Sequence, residues 1–334
     1  MTFTVLKPGL LTTIQDLGRY GYQKYGVIVS GAMDSFSTRL ANLIVGNNEQ
    51  EGVLEITLNG PVLRFEEDTL IVITGADLSP VIDQKRVSLN KPIYVKGGAI
   101  LSFGPVKSGC RSYLACAGGF AIEEILGSKS TYIRAGIGGF EGRALKQGDR
   151  VKCKPPSDLA RKLIAQLRLI GGGSSFQSAK WSVSQRKQSS KGESIVHLIR
   201  GSHFDLFTEK SIKALFHQRF TVSQNSDRMG YQLTGYSLQT RKAVDIFSEA
   251  IAFGTIQVPA EGNPIILLAD RQTVGGYPRI AQVIATDLDV IAQLKPGDVV
   301  KFEEITLASA EQLYLERERE LMNMKTGISL KMVF

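Results

Sequence analysis

The chain has 334 residues, 43% hydrophobic and 22% charged, a balance that supplies a sizeable core, excludes disorder as the default and suits roughly two domains. Its net charge of +8 invites a nucleic-acid reading, but the basic residues are scattered and the densest patch, Arg186-Lys187-Gln-Ser-Ser-Lys191, has no interleaved aromatics to stack bases; it reads as a solvated loop, with no nucleic acid as partner. No apolar run approaches the ~20 residues that cross a bilayer, and Met1 to Lys7 lacks a leader pattern, so a cytoplasmic protein without a membrane partner is expected.

Short β-branched runs bounded by turn residues dominate the chain: Thr69–Thr74, Pro92–Lys96, Ile195–Ile199, Pro264–Ala269 and Val299–Phe302. Glycine pairs at 97–98, 118–119, 138–139 and 275–276 fit tight corners, so the fold class expected is mainly β, barrels or sandwiches, with a few short helices. Three helices are predicted. Ser35–Val45 follows Asp34 as N-cap, Leu159–Leu169 stops at Gly171-Gly-Gly, and Ser309–Lys325 places Leu313, Leu321 and Met324 inward. Pro155-Pro156 and the polar stretch after Gly171 mark a boundary, giving domains 1–156 and 193–308, a connection over 157–192 and a helical tail over 309–334. Leu145-Lys-Gln-Gly-Asp-Arg-Val151 and Leu294-Lys-Pro-Gly-Asp-Val-Val300 repeat one phrase, which is either the trace of a duplication or a hairpin device used twice.

Three segments carry candidate chemistry. The first holds Gln15, Asp16 and Arg19, with a substrate-binding reading beside the plain one of capped turns and an Asp16–Arg19 pair. The second is Asp227-Arg228-Met-Gly230, where a guanidinium binds carboxylate or phosphate with both arms, or a local salt bridge closes a turn. The third, Gly254 to Pro259 with Ala269 to Pro278, delivers Gln257, Asp270, Arg271, Thr273, Gly275, Gly276 and Tyr277 at a strand end. It is the strongest of the three, with Asp270 as base or polariser and Arg271 as anion clamp. Cys110, Cys116 and Cys153 are too few for a disulfide framework or zinc site, so no metal is expected. No phosphate loop and no Ser/His/Asp signature occurs, His197, His203 and His217 are singletons, and Met322-Asn-Met-Lys325 is not the Met-Lys-Met of a biotin carrier, so no biotin attachment is expected. A chain so equipped implies a partner.

Thr12–Arg19, Gly31-Ala-Met-Asp34, Ala41–Asn47, Leu54-Glu55, Gly60-Pro61, Thr74–Asp77, Arg111–Ala115, Gly118-Gly119, Leu126–Thr131, Asp227–Tyr231 and Asp270–Pro278 occur in the order found in the biotin-dependent carboxyltransferase-like (allophanate hydrolase subunit 2) family, which the chain resembles from about Thr4 to Phe302. It departs at Gly201-Ser-His203, where the family often has Gly-Pro, and at Gln232, where Arg is usual. The resemblance implies two cyclophilin-like β-barrel domains. For a stand-alone chain of this size it implies one member of an ATP-dependent 5-oxoprolinase complex, completed by partner subunits A and B, with ATP used at the level of the complex and 5-oxoproline as the small-molecule substrate. For some members it implies antagonism of a kinase-inhibiting partner. A carboxyltransferase half-domain acting on urea or an amide, and a purely regulatory binding protein, are the alternatives.

Overall fold

A computed structural model describes residues 2–184 and 193–333; the basic patch at 186–191 lies outside the described residues. The chain forms two compact units. The first comprises Met1–Arg19, Ser30–Arg186 and Glu320–Phe334, the second Tyr20–Val29 and Lys187–Arg319.

In the first unit, two six-stranded sheets enclose one apolar core. The central strand Thr69–Asp77 shows why its sequence is an unbroken apolar run. Ile71 and Ile73 enter the core between the sheets, while Leu70 and Val72 enter a second core beneath helices. Successive residues point to opposite faces, so a strand covered on both faces reads as continuous rather than alternating hydrophobicity. Strand Ser108–Cys116 pairs with it and divides likewise: Leu114 and Cys116 face one core, Tyr113 and Ala115 the other.

Helix α1 (Ser35–Ile44) begins where expected, with the Asp34 carboxylate accepting from Ser37 N at 2.8 Å. The stretch expected as a connection supplies α2 (Asp158–Ile170), which buries Ala160, Leu163 and Leu167, and strand Phe176–Ser178 at a sheet edge. Gly171 caps the C-terminal end of α2.

The second unit is a closed seven-stranded barrel of Glu193–Arg200, Arg279–Val283, Thr255–Gln257, Ile265–Leu267, Gly230–Thr234, Phe220–Val222 and Val299–Glu304. Its first and last strands close it in parallel, with Glu193 opposite Val299. The expectation of barrels is met here by full closure, whereas the first unit keeps two separate sheets.

Helix α3 (Glu209–His217), absent from the sequence reading, is short, capped and amphipathic, with Thr208 accepting from Ser211 N and Ala214 and Leu215 buried. A short α4 (Leu288–Ala292) precedes the last strand. The final helix α5 spans Leu307–Val333 rather than stopping near Lys325. Gly327 disfavours the helix by about 1 kcal/mol relative to alanine, but Ile328 and Met332 are buried beyond it, and that burial outweighs the glycine.

The repeated phrase is one turn used twice. Asp149 and Asp298 accept from Lys146 N at 2.7 Å and Lys295 N at 3.0 Å, around Gly148 and Gly297 at φ of 90° and 89°. Both positions require the left-handed backbone that glycine adopts without strain.

Candidate functional site

The first sequence segment folds into a closed polar knot in the first unit. The Asp16 carboxylate accepts from Gly18 N at 2.8 Å, Ser128 Oγ at 2.7 Å, Ser130 Oγ at 2.5 Å and Lys129 N at 2.5 Å. The Leu126–Thr131 motif is therefore a cradle for an internal carboxylate. Arg19 is buried and donates from Nη2 to Ser130 O at 2.5 Å. Gly138 packs so closely on it that a Cβ there would lie 2.7 Å from Nη2 and 2.1 Å from Ser130 O. Gln15 donates to Thr13 Oγ1 and Thr131 O, both at 3.1 Å. A neighbouring network fixes the Gly31–Asp34 loop: Glu55 accepts from Met33 N at 2.8 Å and Tyr113 Oη at 3.0 Å, and Tyr113 Oη accepts from Asp34 N at 2.9 Å. Burial, followed by the nearby Glu55 and Asp34 charges, pushes the Tyr113 phenol up, so it stays a neutral donor.

In the second unit, strands Gly230–Thr234 and Ile265–Leu267 continue past the barrel wall as a ladder, with Leu268 N donating to Met229 O and Asp270 N to Arg228 O. That extension sets Arg228 against Asp270. Nε donates to Oδ2 at 2.9 Å and Nη2 to Oδ1 at 3.1 Å, both residues being buried. This is the two-armed carboxylate grip anticipated for a ligand, here made within the chain. Asp227 is exposed, and its Oδ1 accepts from Met229 N at 2.7 Å in the turn that precedes the strand.

Arg271 is different. It is 7% exposed, and its guanidinium donates only to main-chain carbonyls, Nε to Ile251 O at 3.3 Å and Nη1 to Leu268 O at 3.2 Å. Its Cζ lies 5.8 Å from the Phe253 ring centroid. Burial pulls this guanidinium below its ordinary pKa, and an electrostatic interaction with Tyr20 opposes the shift.

Gln257, Gly275 and Tyr277 gather further along the wall, because Gln257 pairs with Ile265, at the opposite end of that strand from Asp270. Gln257 Nε2 donates to Tyr277 O at 3.3 Å, and a Cβ on Gly275 would lie 2.6 Å from that nitrogen. Thr273 O accepts from Ile251 N, and Gly275 pairs with Glu249, so the loop after Arg271 runs as a two-stranded arm between the two groups. Gly276 lies against Ile246 O. His203 belongs beside this group. Its Nδ1 accepts from Arg279 N at 3.2 Å, and burial, then Arg279, lowers its pKa.

Tyr20, Phe253 and His203 were missed as site residues. Tyr20 adjoins the Thr12–Arg19 motif in sequence but belongs to the second unit. Phe253 precedes Gly254-Thr-Ile-Gln257 and carried no signal beyond ordinary core packing.

Among the described residues, no group of three or more His, Cys, Asp and Glu is placed to hold a metal, and no helix is long and apolar enough to cross a membrane. The glycine run at 171–173 follows the C-terminal end of α2 rather than opening a helix. Lys325 lies within α5 and pairs with Glu49 at 2.9 Å.

A family model described as carboxyltransferase domain, subdomain A and B, matches residues 25–304. The chain belongs to the carboxyltransferase domain family. It is 36% identical to the C subunit of 5-oxoprolinase from Haemophilus influenzae over 94% of this chain and 96% of that protein. The same-named protein of Escherichia coli is 33% identical over 94% and 95%. The Lachancea kluyveri urea amidolyase is 33% identical over 97% of this chain but only 18% of its own length. Among solved structures, Kluyveromyces lactis urea carboxylase matches with a TM-score of 0.84 at 33% identity, covering 96% of this chain and 29% of that one. The chain thus spans about a third or less of the urea-processing proteins it matches and nearly all of the two 5-oxoprolinase proteins.

Proposed function

We propose that the chain is the C subunit of a 5-oxoprolinase, which joins subunits A and B in the cytoplasm and hydrolyses 5-oxo-L-proline to L-glutamate with ATP. The observation that carries this reading is the two-way coverage, 94% of this chain and 95–96% of each of the two 5-oxoprolinase relatives. An unstrained lactam hydrolyses slowly, and transfer of a phosphoryl group to its carbonyl oxygen creates the leaving group that water alone lacks. ATP supplies that group at the level of the complex.

The second unit contributes binding rather than a nucleophile. Arg271 clamps an anionic group, and Arg228 and Asp270 hold each other and thereby fix the loop that carries Arg271. Asp227 shapes the turn before Arg228, while Gln257 and Thr273 hydrogen-bond the lactam beside Gly275, Gly276 and Tyr277. Gln15, Asp16 and Arg19 act through the fold of the first unit, since each makes side-chain hydrogen bonds inside it.

Co-purification with the neighbouring subunits, then a glutamate-release assay omitting each component in turn, tests this. Loss of ATP-linked release on omitting this chain is expected; undiminished release sinks the proposal. A carboxyltransferase acting on urea or an amide is the second reading, favoured by the 0.84 TM-score to a urea carboxylase. Avidin-sensitive, biotin-dependent turnover decides for it. Antagonism of a kinase-inhibiting partner is compatible with either, since both require a docked partner.

A further inference from the structure

Buried or half-buried guanidinium groups of the second unit meet carboxylates: Arg228 meets Asp270, Arg279 meets Glu249 and Arg317 meets Asp289. Arg271, equally buried, meets two carbonyls, a phenyl ring and the field of Tyr20. A buried cation without a counter-ion is costly, and an arriving anion relieves that cost.

The geometry restricts the anion. Ile251 O and Leu268 O accept from Nε and Nη1, which fixes the guanidinium plane and leaves one N–H of Nη1 and both of Nη2 to donate. Two parallel N–H groups on one edge match the two oxygens of a planar carboxylate. Charge restricts it further. The Arg228–Asp270 pair neutralises itself, so the cationic excess beside the loop is one unit. A monoanion balances it. A nucleotide triphosphate carries several negative charges, which proteins meet with lysines, metal ions and the amides of a helix N-terminus, none of which is among the described groups touching Arg271.

We infer that Arg271, seated over Phe253 and donating to two main-chain carbonyls, is a receptor for a small monocarboxylate. Identifying that carboxylate as the one on 5-oxo-L-proline rests on the function proposed above; the receptor itself does not. Arg271 is then the residue that reads the ring's carboxylate.

Steady-state kinetics of the co-purified complex test it. With Arg271→Gln the KM for 5-oxo-L-proline rises about a hundredfold while the KM for ATP is unchanged, the size expected for truncating a buried charged contact. With Arg271→Lys, which keeps the charge and loses the two-armed edge, the rise is about tenfold. A rise in the KM for ATP instead makes the site a phosphate receptor and overturns the inference. If the complex has no oxoprolinase activity, the function above falls, and NMR titration of the full-length chain judges the receptor alone. The probes are 5-oxo-L-proline, L-glutamate, 2-pyrrolidinone (the same ring without a carboxylate) and inorganic phosphate. The two carboxylates are expected to perturb the wild type but not Arg271→Gln, and to perturb Arg271→Lys only weakly. Binding of phosphate or pyrrolidinone with equal strength, or carboxylate binding that survives both substitutions, refutes it.

Discussion

Asp16→Asn removes one charge and converts one oxygen to an amino group without changing the side chain's shape. In the wild type, Oδ1 accepts three donors, from Gly18 N, Ser128 Oγ and Ser130 Oγ, and Oδ2 accepts from Lys129 N. The asparagine best keeps its oxygen toward the three donors and turns its NH2 against Lys129 N–H. Three charge-assisted bonds then become neutral ones, at about 1 kcal/mol each, and a fourth is lost against a buried donor, at about 2 kcal/mol. Relief from desolvating a carboxylate returns part of this, which leaves a net loss of roughly 3–5 kcal/mol. Trp181, the only tryptophan in the chain, packs against the helical core of the same unit, so its fluorescence reports that unit's unfolding in urea. With a slope of about 2 kcal/mol per molar, typical of a unit this size, the midpoint falls by roughly 1.5–2.5 M. A shift below about 0.5 M means the cradle is not what holds the Thr12–Arg19 segment, and the reasoning fails.

The Arg228–Asp270 pair makes a second test: Arg228→Met and Asp270→Leu each strand a buried charge and cost about 3–5 kcal/mol in thermal unfolding, while the double substitution recovers much of the loss. Additive single effects contradict a coupled ion pair. Glu51 gives a pH signature. Burial alone raises its carboxyl, but the hydrogen bonds from Lys129 and Lys154 outweigh burial and hold it below its usual value. A depressed carboxylate contributes stability fully above the unfolded pKa of about 4.3 and loses it as pH falls through the lower folded value. The stability difference between wild type and Glu51→Gln is therefore constant above about pH 5 and shrinks toward zero in more acid solution; a pH-independent difference in urea midpoints contradicts the assignment.

Local signals carried the sequence reading as far as local physics decides structure. Asp34 before an amphipathic run fixes α1 within a residue, because a cap and a periodicity act over four residues. The Gly-Asp turns are equally local, since a left-handed residue and an Asp-to-amide bond need no distant partner. The end of α5 was not legible, because Ile328 and Met332 continue the helix only through burial against α1's core, which no local pattern encodes. The same holds for Tyr20. It is placed with the barrel unit and interacts electrostatically with Arg271, while Arg19, one residue earlier, is locked inside the first unit.

That contrast also decides what the family motifs mean. Most of those that mark the chain as a carboxyltransferase domain have structural duties here: Leu126–Thr131 wraps Asp16, Glu55 and Tyr113 hold the Gly31–Asp34 loop, and Arg228 grips Asp270. A set of residues engaged with one another preserves a fold whatever reaction it serves, so the same motifs fit a lactam-hydrolysing complex and a urea carboxylase equally well. Discrimination must come from a group that the fold holds ready but leaves unanswered. In the Asp270–Pro278 motif the aspartate is answered by Arg228, whereas Arg271 beside it is desolvated and donates to main-chain carbonyls over the Phe253 ring. A measurement of which anion binds at Arg271 therefore separates substrates that whole-chain similarity cannot.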